Sequence, residues 1–364
     1  MGFRCGIVGL PNVGKSTIFN AMTSAGIESA NYPFCTIEPN VGMVPVLDKR
    51  LDTLAEMAKT QREVYAQVEF VDIAGLVSGA SKGEGLGNQF LAHIRQVDAI
   101  AHVVRCFEDS NIVHVEATID PIRDREVINT ELILADMDTV ARRIDKTAGR
   151  ARSGDKTCQA QMVVLEKLAG LLDEGKPARM LDVDESNQEL LKELCLLSAK
   201  PVLYVANVRE EDIATGNPWV DNLKEVAKEE NAPVVVISGA IEEELSGMPA
   251  EERQEFLADM GMEESGLNRL VHAGYKLLGL INYFTVGEKE TRAWTIKKGS
   301  TAPQAAGVIH TDFERGFIRA EITSYDDFVA CGGEAGAKEK GVWRLEGKEY
   351  IVKDGDCINF RFNV

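Results

Sequence analysis

Short apolar runs alternate with amphipathic segments through the first 120 residues, and the alternation resumes near residue 200. An apolar run of about four to eight residues between turn signals is typical of a strand buried on both faces of a parallel sheet. Such runs separated by helical patterns predict an α/β fold with a doubly wound sheet. The predicted strands are 3–8, 41–46, 67–72, 99–105, 201–206 and 232–237.

The strand signals stop between Pro121 and Pro201. In this segment apolar residues recur at intervals of about three and four, the spacing of one helix face. They are Val127, Ile128, Leu134, Met137, Val140, Ala141 and Ile144, followed by Val164, Leu165, Leu168 and Leu172. The pattern predicts a hairpin of two antiparallel helices inserted into the α/β domain.

From Tyr283 onward the pattern changes to short β runs separated by turns, which indicates a small separate β-rich domain. We therefore expect an α/β domain at 1–120 and 200–277, a helical insertion at 121–199 and a β-rich domain at 278–364. At 364 residues the chain is long enough for such a multidomain architecture.

Composition and charge narrow the choice of partners. The net charge of −18 argues against a protein that coats nucleic acid through a broadly positive surface, and no DNA partner is expected. No apolar run approaches the roughly 20 residues of a membrane span, so we expect a cytoplasmic protein with no membrane partner. The seven cysteines show no Cys-x-x-Cys spacing and indicate neither a zinc site nor a redox pair.

The strongest chemical signal is GLPNVGKS at 9–16, a complete G-x-x-x-x-G-K-S between a predicted strand and a predicted helix. In this motif backbone N–H groups and the helix amino terminus surround phosphate groups. Lys15 is expected to neutralise the β- and γ-phosphates, as a catalytic and a binding residue, and Ser16 is expected to bind Mg²⁺. The predicted phosphate-binding residues are Asn12, Val13, Gly14, Lys15, Ser16 and Thr17.

A second phosphate-facing element follows the strand at 67–72, where Asp72 opens an Asp-x-x-Gly motif that ends at Gly75. Asp72 is expected to hold Mg²⁺ through a water, and Gly75 to bring its N–H to the γ-phosphate. Thr36, in the loop-like YPFCTIEP, is the predicted switch residue and metal ligand; on local sequence alone, a turn threonine is equally consistent. The glycine-rich stretch 78–87 is predicted to be a second switch.

Two further strand ends carry the predicted base-recognition residues, Asn207 and Ser238. A guanine site of the GTPase type has Asn-Lys-x-Asp at the first position, but here the residues are Asn207-Val208-Arg209-Glu210. The lysine that packs on the base is missing, and a glutamate replaces the aspartate that accepts hydrogen bonds from guanine. Adenine is therefore the expected base.

The chain resembles the YchF/Obg-like ATPase family, a branch of the translation-factor P-loop proteins. The resemblance runs from end to end and rests on GLPNVGKST at 9–17, NYPFCTIEPN at 31–40, DIAGLVSGASKGEGLGNQFL at 72–91 and HTDFERGFIRAE at 310–321. It implies ATP preferred over GTP, a helical insertion, a TGS domain at 278–364 and binding to ribosomes. It also implies adenine contacts at Asn207, Val208 and Phe107, and magnesium ligands at Ser16 and Thr36.

Leu76 stands where many GTPases have the glutamine that orients the attacking water, and its aliphatic side chain cannot hydrogen-bond to water. Slow intrinsic hydrolysis is therefore expected, with another group supplying the missing interaction. The candidates are Asn12, placed as in P-loops that bind K⁺ beside the phosphates, and His114 as a catalytic histidine. A surface role for His114 is equally consistent, and His93 is a weaker candidate.

Two regions carry positive charge suited to ribosomal RNA. The connection of the helical hairpin, TAGRARSGDK at 147–156, is basic, although a solvated tip is the more common outcome. In the last domain, basic and aromatic residues interleave, which fits an RNA-facing sheet and an aromatic core under solvated charges equally well. These residues are Lys297, Lys298, Arg315, Arg319 and Arg344, with Trp294, Phe313 and Phe317.

The leading hypothesis is an ATP-driven switch in translation or stress regulation, in which ATP and Mg²⁺ order the loops around Thr36 and Gly75 and hydrolysis releases them. The ribosome and its RNA are the expected partners. The first alternative is a nucleotide-regulated adaptor that binds RNA or ribosomes, with incidental turnover. The second is a GTPase with a degenerate base motif.

Overall fold

A computed structural model describes residues 3–29, 40–73, 86–110, 118–184 and 187–363. Contacts along the chain divide it into two compact units. The first comprises Met1–Gly42 and Glu69–Gly274, and the second comprises Met43–Val68 and Tyr275–Val364.

Strands and helices follow one another along the whole chain, and in the first unit they alternate as the apolar pattern predicted. The strands are β1 Arg4–Val8, β2 Val41–Val46, β3 Glu63–Val64, β4 Ala66–Asp72, β5 Ala99–Arg105, β6 Val202–Asn207, β7 Val234–Ile237, β8 Leu280–Thr285, β9 Thr291–Lys297, β10 Phe317–Ser324, β11 Arg344–Glu346 and β12 Asp356–Phe362. The helices are α1 Lys15–Ser29, α2 Lys49–Ala58, α3 Leu86–Gln96, α4 Pro121–Arg152, α5 Lys156–Asp173, α6 Gln188–Leu194, α7 Pro218–Glu229, α8 Gly239–Ser246, α9 Ala250–Asp259, α10 Gly266–Leu277, α11 Ala302–Ile309, α12 Thr311–Arg315, α13 Tyr325–Ala330 and α14 Glu334–Glu339. No described helix is both long and apolar enough to cross a bilayer.

The nucleotide-domain sheet has the strand order β2-β4-β1-β5-β6-β7. The pairs β4–β1, β1–β5, β5–β6 and β6–β7 are parallel. The inner strands β5 and β6 are buried along their whole length, because helices cover both faces of such a sheet. This confirms the predicted doubly wound α/β fold, and it places the carboxyl ends of the strands at one edge, where open α/β sheets bind ligands.

The helical insertion consists of α4 and α5, which form the predicted hairpin. Asp120 and Asp155 cap their amino termini by accepting backbone N–H bonds, and Pro121 occupies the first turn of α4. Their shared core comprises Ile133, Val140, Val164, Leu165, Leu168, Leu172, Ala178, Leu190, Leu194 and Leu196.

The sequence pattern placed Leu134 and Ala141 on the buried face of α4, but Leu132 and Ile133 are buried instead. The physical reason is that this face also carries buried polar residues, which a count of apolar positions leaves out. They are Asp124, Arg125, Asn129, Glu131 and Asp136.

The second unit is built on a sheet with the order β11-β10-β12-β8-β9-β3. Its core packs one sheet face against α11 and comprises Tyr283, Ile296, Ala302, Ala305, Ala306, Phe317, Ala320, Ile322, Val352, Ile358 and Phe360. Trp294 and Phe313 pack against this core. The β-rich carboxy-terminal domain is thus confirmed. Of the two arrangements left open for Phe317, an RNA-facing aromatic and a core aromatic, the structure shows the core one.

Residues 43–68 belong to the second unit, whereas the sequence placed them in the α/β domain. They carry most of β2, all of α2 and β3, and the start of β4, and β3 pairs in parallel with β9 through Glu63 and Val64. The helical insertion, expected as a separate domain, lies within the first unit. The domain limits predicted from the sequence differ from the observed division in these two respects.

Candidate nucleotide-binding site

The P-loop connects the end of β1 to the start of α1. Asn12 and Gly14 have φ angles of 65° and 92°, in the left-handed region that anion-binding backbone turns use. A Cβ on Gly14 would overlap the Asn207 amide nitrogen, and a Cβ on Gly9 would lie 2.8 Å from the Val103 carbonyl oxygen. Both glycines are therefore required by close packing, and Gly14 also by its positive φ angle.

Lys15 and Asp72 meet although they belong to different sequence motifs. Lys15 begins α1 and Asp72 ends β4, and their side chains form an ion pair. The two side chains are only 10% and 17% exposed, so their attraction is stronger than that of a fully solvated pair. The structure thus brings the predicted phosphate-binding lysine and the predicted metal-facing carboxylate to one point.

Ser16 and Asp72 provide oxygen donors of the kind that Mg²⁺ prefers. The Ser16 side chain is exposed on the first turn of α1, and Asp72 lies at the adjacent strand end. Within the described ranges, no cluster of three or more His, Cys, Asp or Glu residues could hold a metal. The donor set fits a metal held jointly by one or two protein groups, water and phosphates, as Mg²⁺ commonly is.

Asn207 lies at the end of β6 and is 4% exposed. Its Nδ2 donates to the Val13 carbonyl at 2.9 Å, and its Oδ1 accepts from the Gly239 N–H at 3.0 Å. The side chain therefore ties the P-loop to the start of α8. The adenine contact at Asn207 stays a prediction. The two hydrogen bonds give its side chain a structural role that was not predicted from the sequence.

Val208 and Ser238 lie beside Asn207 and are almost completely buried. The Val208 N–H donates to the Ile237 carbonyl at 2.8 Å, which extends the β6–β7 pairing past the strand end. Ser238 precedes α8 but makes no capping bond, and among the described residues its hydroxyl has no hydrogen-bond partner. Thr17 is close by, since a Cβ on Gly239 would lie 3.5 Å from its methyl carbon.

The other predicted site residues lie on separate elements or outside the described part of the chain. Phe107 follows β5 and is partly exposed, and the preceding Cys106 N–H donates to the Asn207 carbonyl at 2.8 Å. Glu210 is exposed and begins a single 3-10 turn, Glu210–Asp212. His93 is exposed on α3. Thr36, Gly75, Leu76, His114 and most of the second predicted switch (78–85) lie outside the described residues.

The first unit contains a buried ionic network around Glu230 that was not predicted from the sequence. Glu230, at the carboxyl end of α7, has a side chain only 1% exposed. It forms ion pairs with Arg125 of α4 and Arg179, and the Tyr204 hydroxyl of β6 donates to it at 3.2 Å. No spacing in the sequence links these residues, because they come from separate elements that only the fold brings together.

The two arginines determine the charge state of Glu230. Burial alone raises the pKa of this carboxyl group, but the Arg179 and Arg125 guanidiniums outweigh burial and hold the pKa below its ordinary value. Glu230 is therefore ionised at neutral pH, and the network joins the base of the helical insertion to β6, the strand that ends at Asn207.

Two family models match the chain. One, described as "50S ribosome-binding GTPase", matches residues 4–135. The YchF-type carboxy-terminal model, described as "Protein of unknown function (DUF933)", matches residues 280–363. The two matches cover the P-loop segment of the first unit and most of the β-rich domain.

Curated relatives match over their full length. The "Ribosome-binding ATPase YchF" of Pasteurella multocida (strain Pm70) is 57% identical over 364 residues, with 100% of both chains covered. The protein of that name from Bacillus subtilis (strain 168) is 57% identical over 366 residues, again with 100% of both covered. The solved structure of the Schizosaccharomyces pombe YchF GTPase aligns with a TM-score of 0.90 at 40% identity, over 99% of this chain and 98% of that one. Identity at this level along the whole length, together with the P-loop geometry above, shows that the chain belongs to the YchF family.

Proposed function

We propose that the chain is a cytoplasmic, ribosome-associated ATPase in which Mg²⁺-dependent hydrolysis of ATP, preferred over GTP, operates a conformational switch in translation or stress regulation. The observation that carries the proposal is the ion pair of Lys15 with Asp72 beside a P-loop of the required shape. The proposal is also supported by full-length relatives that are named ribosome-binding ATPases.

The triphosphate binds at the amino terminus of α1, where the N–H groups of residues 12–17 surround it. On binding, Lys15 would exchange the Asp72 carboxylate for the β- and γ-phosphates, which would free Asp72 to hold the metal through water. Ser16 and Thr36 would supply further oxygen donors to the metal, and Gly75 would donate its N–H to the γ-phosphate. Mg²⁺, when bound, neutralises the charge of the phosphate oxygens.

Adenine is the proposed base because the guanine-reading aspartate is absent. Glu210 occupies its sequence position but is exposed in a 3-10 turn. The base lies at the carboxyl ends of β5, β6 and β7, against Phe107, Asn207, Val208 and Ser238. A second candidate, a GTPase, is favoured by the description of one family model as a ribosome-binding GTPase and by the name of the fission-yeast YchF GTPase.

Hydrolysis requires a group that replaces the missing water-orienting glutamine. Lys15 supplies charge to the phosphates, and the two proposed additions are His114 and a K⁺ ion held near Asn12. The Asn12 backbone is already in the left-handed conformation of the P-loop. Removal of K⁺ and substitution of His114 are independent tests of these two groups.

Ribosomal RNA is the proposed contact of the tip of the helical hairpin. The carboxyl end of α4 and the start of α5 carry Arg150, Arg152 and Lys156. Arg150 is 74% exposed and pairs with Asp155, so part of the positive charge is locally compensated. In the β-rich domain, Arg315 and Arg319 are exposed and accessible to phosphates.

The test is steady-state ATP hydrolysis with and without ribosomes, in the presence of Mg²⁺ and K⁺. We expect ribosomes to accelerate the wild-type protein, and Lys15→Ala to lose ATP binding and turnover. Lys224→Ala, a half-exposed lysine on α7, is the matched control and should behave as wild type. Turnover retained by Lys15→Ala would overturn the site, while nucleotide-dependent ribosome binding that never changes the rate would favour the adaptor hypothesis.

A further inference from the structure

The segment 106–109 after β5, here called the Phe107 loop, has all of its carbonyl groups bonded to side chains. Asn217 Nδ2 donates to the Cys106 carbonyl at 2.8 Å. Arg105 donates to the Phe107 carbonyl at 3.0 Å and to the Asp109 carbonyl at 3.2 Å. An Arg209 guanidinium N–H donates to the Glu108 carbonyl.

This arrangement is unusual for a surface connection, whose carbonyl groups normally bond to water. The donors come from three elements: β5 itself, the residues after β6, and the amino terminus of α7, where Asn217 is the capping residue. A loop fixed at four successive carbonyls has little conformational freedom left to lose when a ligand binds.

Arg105 also acts on the Phe107 ring. Its side chain is 1% exposed, and its Cζ lies 4.6 Å from the ring centroid, within the range of a cation–π contact. A guanidinium that is held by carbonyl groups and lies over a ring restricts the orientation of that ring. The ring itself remains partly exposed at the edge of the sheet where the base is proposed to bind.

We propose that Arg105 and Arg209 are positioning residues that preorganise Phe107 as a stacking platform for the purine base. Arg209 stands at the variable third position of this motif, directly after Val208, which replaces the lysine of guanine sites. Its guanidinium is turned to the Glu108 carbonyl and acts through Phe107. The inference rests on the proposed function, since it presumes a purine nucleotide at this edge. It adds a determinant of base affinity that is separate from phosphate binding.

The test is a double-mutant cycle of Arg209→Ala and Phe107→Ala, with dissociation constants measured for ATP and for inorganic tripolyphosphate. If Arg209 acts through Phe107, each single substitution raises the Kd of ATP by about tenfold, the scale of a lost base–aromatic stack. The double variant then loses no more than Phe107→Ala alone, and the Kd of tripolyphosphate stays unchanged in all three.

Two further variants complete the design. Arg105→Lys keeps the charge but loses the planar fork that reaches two carbonyls, and it should show the same coupling to Phe107. Arg142→Ala, an exposed arginine on α4, is the control and should bind ATP as wild type does.

Additive losses in the double variant, or an equal loss of tripolyphosphate binding, would overturn the inference and indicate a general structural role. Its failure is distinguishable from failure of the proposed function. If the wild type prefers GTP and Arg209 still couples to Phe107 for GTP, the proposed adenine preference fails and the positioning role stands. If ATP is preferred and the losses add, the positioning role alone fails.

Discussion

Asn207 donates a hydrogen bond to the carbonyl of Val13 at 2.9 Å, although 194 residues separate the two along the chain. The same side chain accepts from the Gly239 N–H. One buried amide therefore connects the P-loop, the end of β6 and the start of α8. The shape of the phosphate site thus depends on a residue that is far from it in sequence.

Replacing Asn207 with alanine should damage both stability and nucleotide binding. The Val13 carbonyl and the Gly239 N–H would be left without this partner, at a cost of about 1–3 kcal/mol per buried unsatisfied group. Denaturant unfolding and an ATP titration measure the two effects. Asn187→Ala is the control, because that asparagine makes no side-chain capping bond. Unchanged ATP affinity in Asn207→Ala would refute the proposed role of this side chain in holding the P-loop.

Replacing Gly14 with alanine should abolish nucleotide binding. The residue has a φ of 92°, and an added Cβ would overlap the Asn207 amide, so the loop or the amide must move. The control is Gly149→Ala in α4, where a Cβ meets nothing within 4 Å and the helix should gain about 0.5–1 kcal/mol. Unchanged ATP binding by Gly14→Ala would contradict the close packing described above.

Glu230→Gln should lower the free energy of unfolding by about 3 kcal/mol, because it leaves two largely buried guanidiniums without their counter-charge. Glu225→Gln removes one partner of an exposed pair with Lys228 and should cost less than about 1 kcal/mol. Urea denaturation of both variants gives the comparison. If Glu230→Gln lowered the free energy of unfolding no more than Glu225→Gln does, the network would add little to stability.

The stability that Glu230 contributes should depend on pH in one direction. Its pKa in the folded state lies below the unfolded value near 4.5, so the contribution is fully present above that value. It is lost as the pH falls through the lower, folded pKa. The difference in unfolding free energy between wild type and Glu230→Gln should therefore be constant near neutral pH and shrink in acid. A difference that grew on acidification would contradict the sign of the shift.

Much of the fold was predictable because its signals are local. The inner strands β5 and β6 are apolar runs, β4 alternates polar and apolar residues, and the P-loop is defined by consecutive residues, so β1, the loop and α1 were all predicted in place. The meeting of Lys15 with Asp72 follows from topology, since parallel neighbouring strands bring their carboxyl ends together.

The remaining features depend on contacts between distant parts of the chain. The segment 43–68 has an ordinary strand and helix pattern, and nothing local indicates that β3 will pair with β9. Glu230, Arg125 and Arg179 look like solvated charges until the fold buries them together. The residues next to Phe317 do not distinguish a buried ring from an exposed one. Only tertiary packing decides that this ring belongs to a core.

The central claim is that this P-loop serves ATP in preference to GTP, and a competition titration tests it most directly. Purified protein with Mg²⁺ and a fluorescent nucleotide is titrated with unlabelled ATP and, separately, with GTP, to obtain the two dissociation constants. The account predicts a clearly lower constant for ATP, because the aspartate that reads guanine is replaced by the exposed Glu210. A lower constant for GTP would contradict it and leave a P-loop switch with guanine specificity.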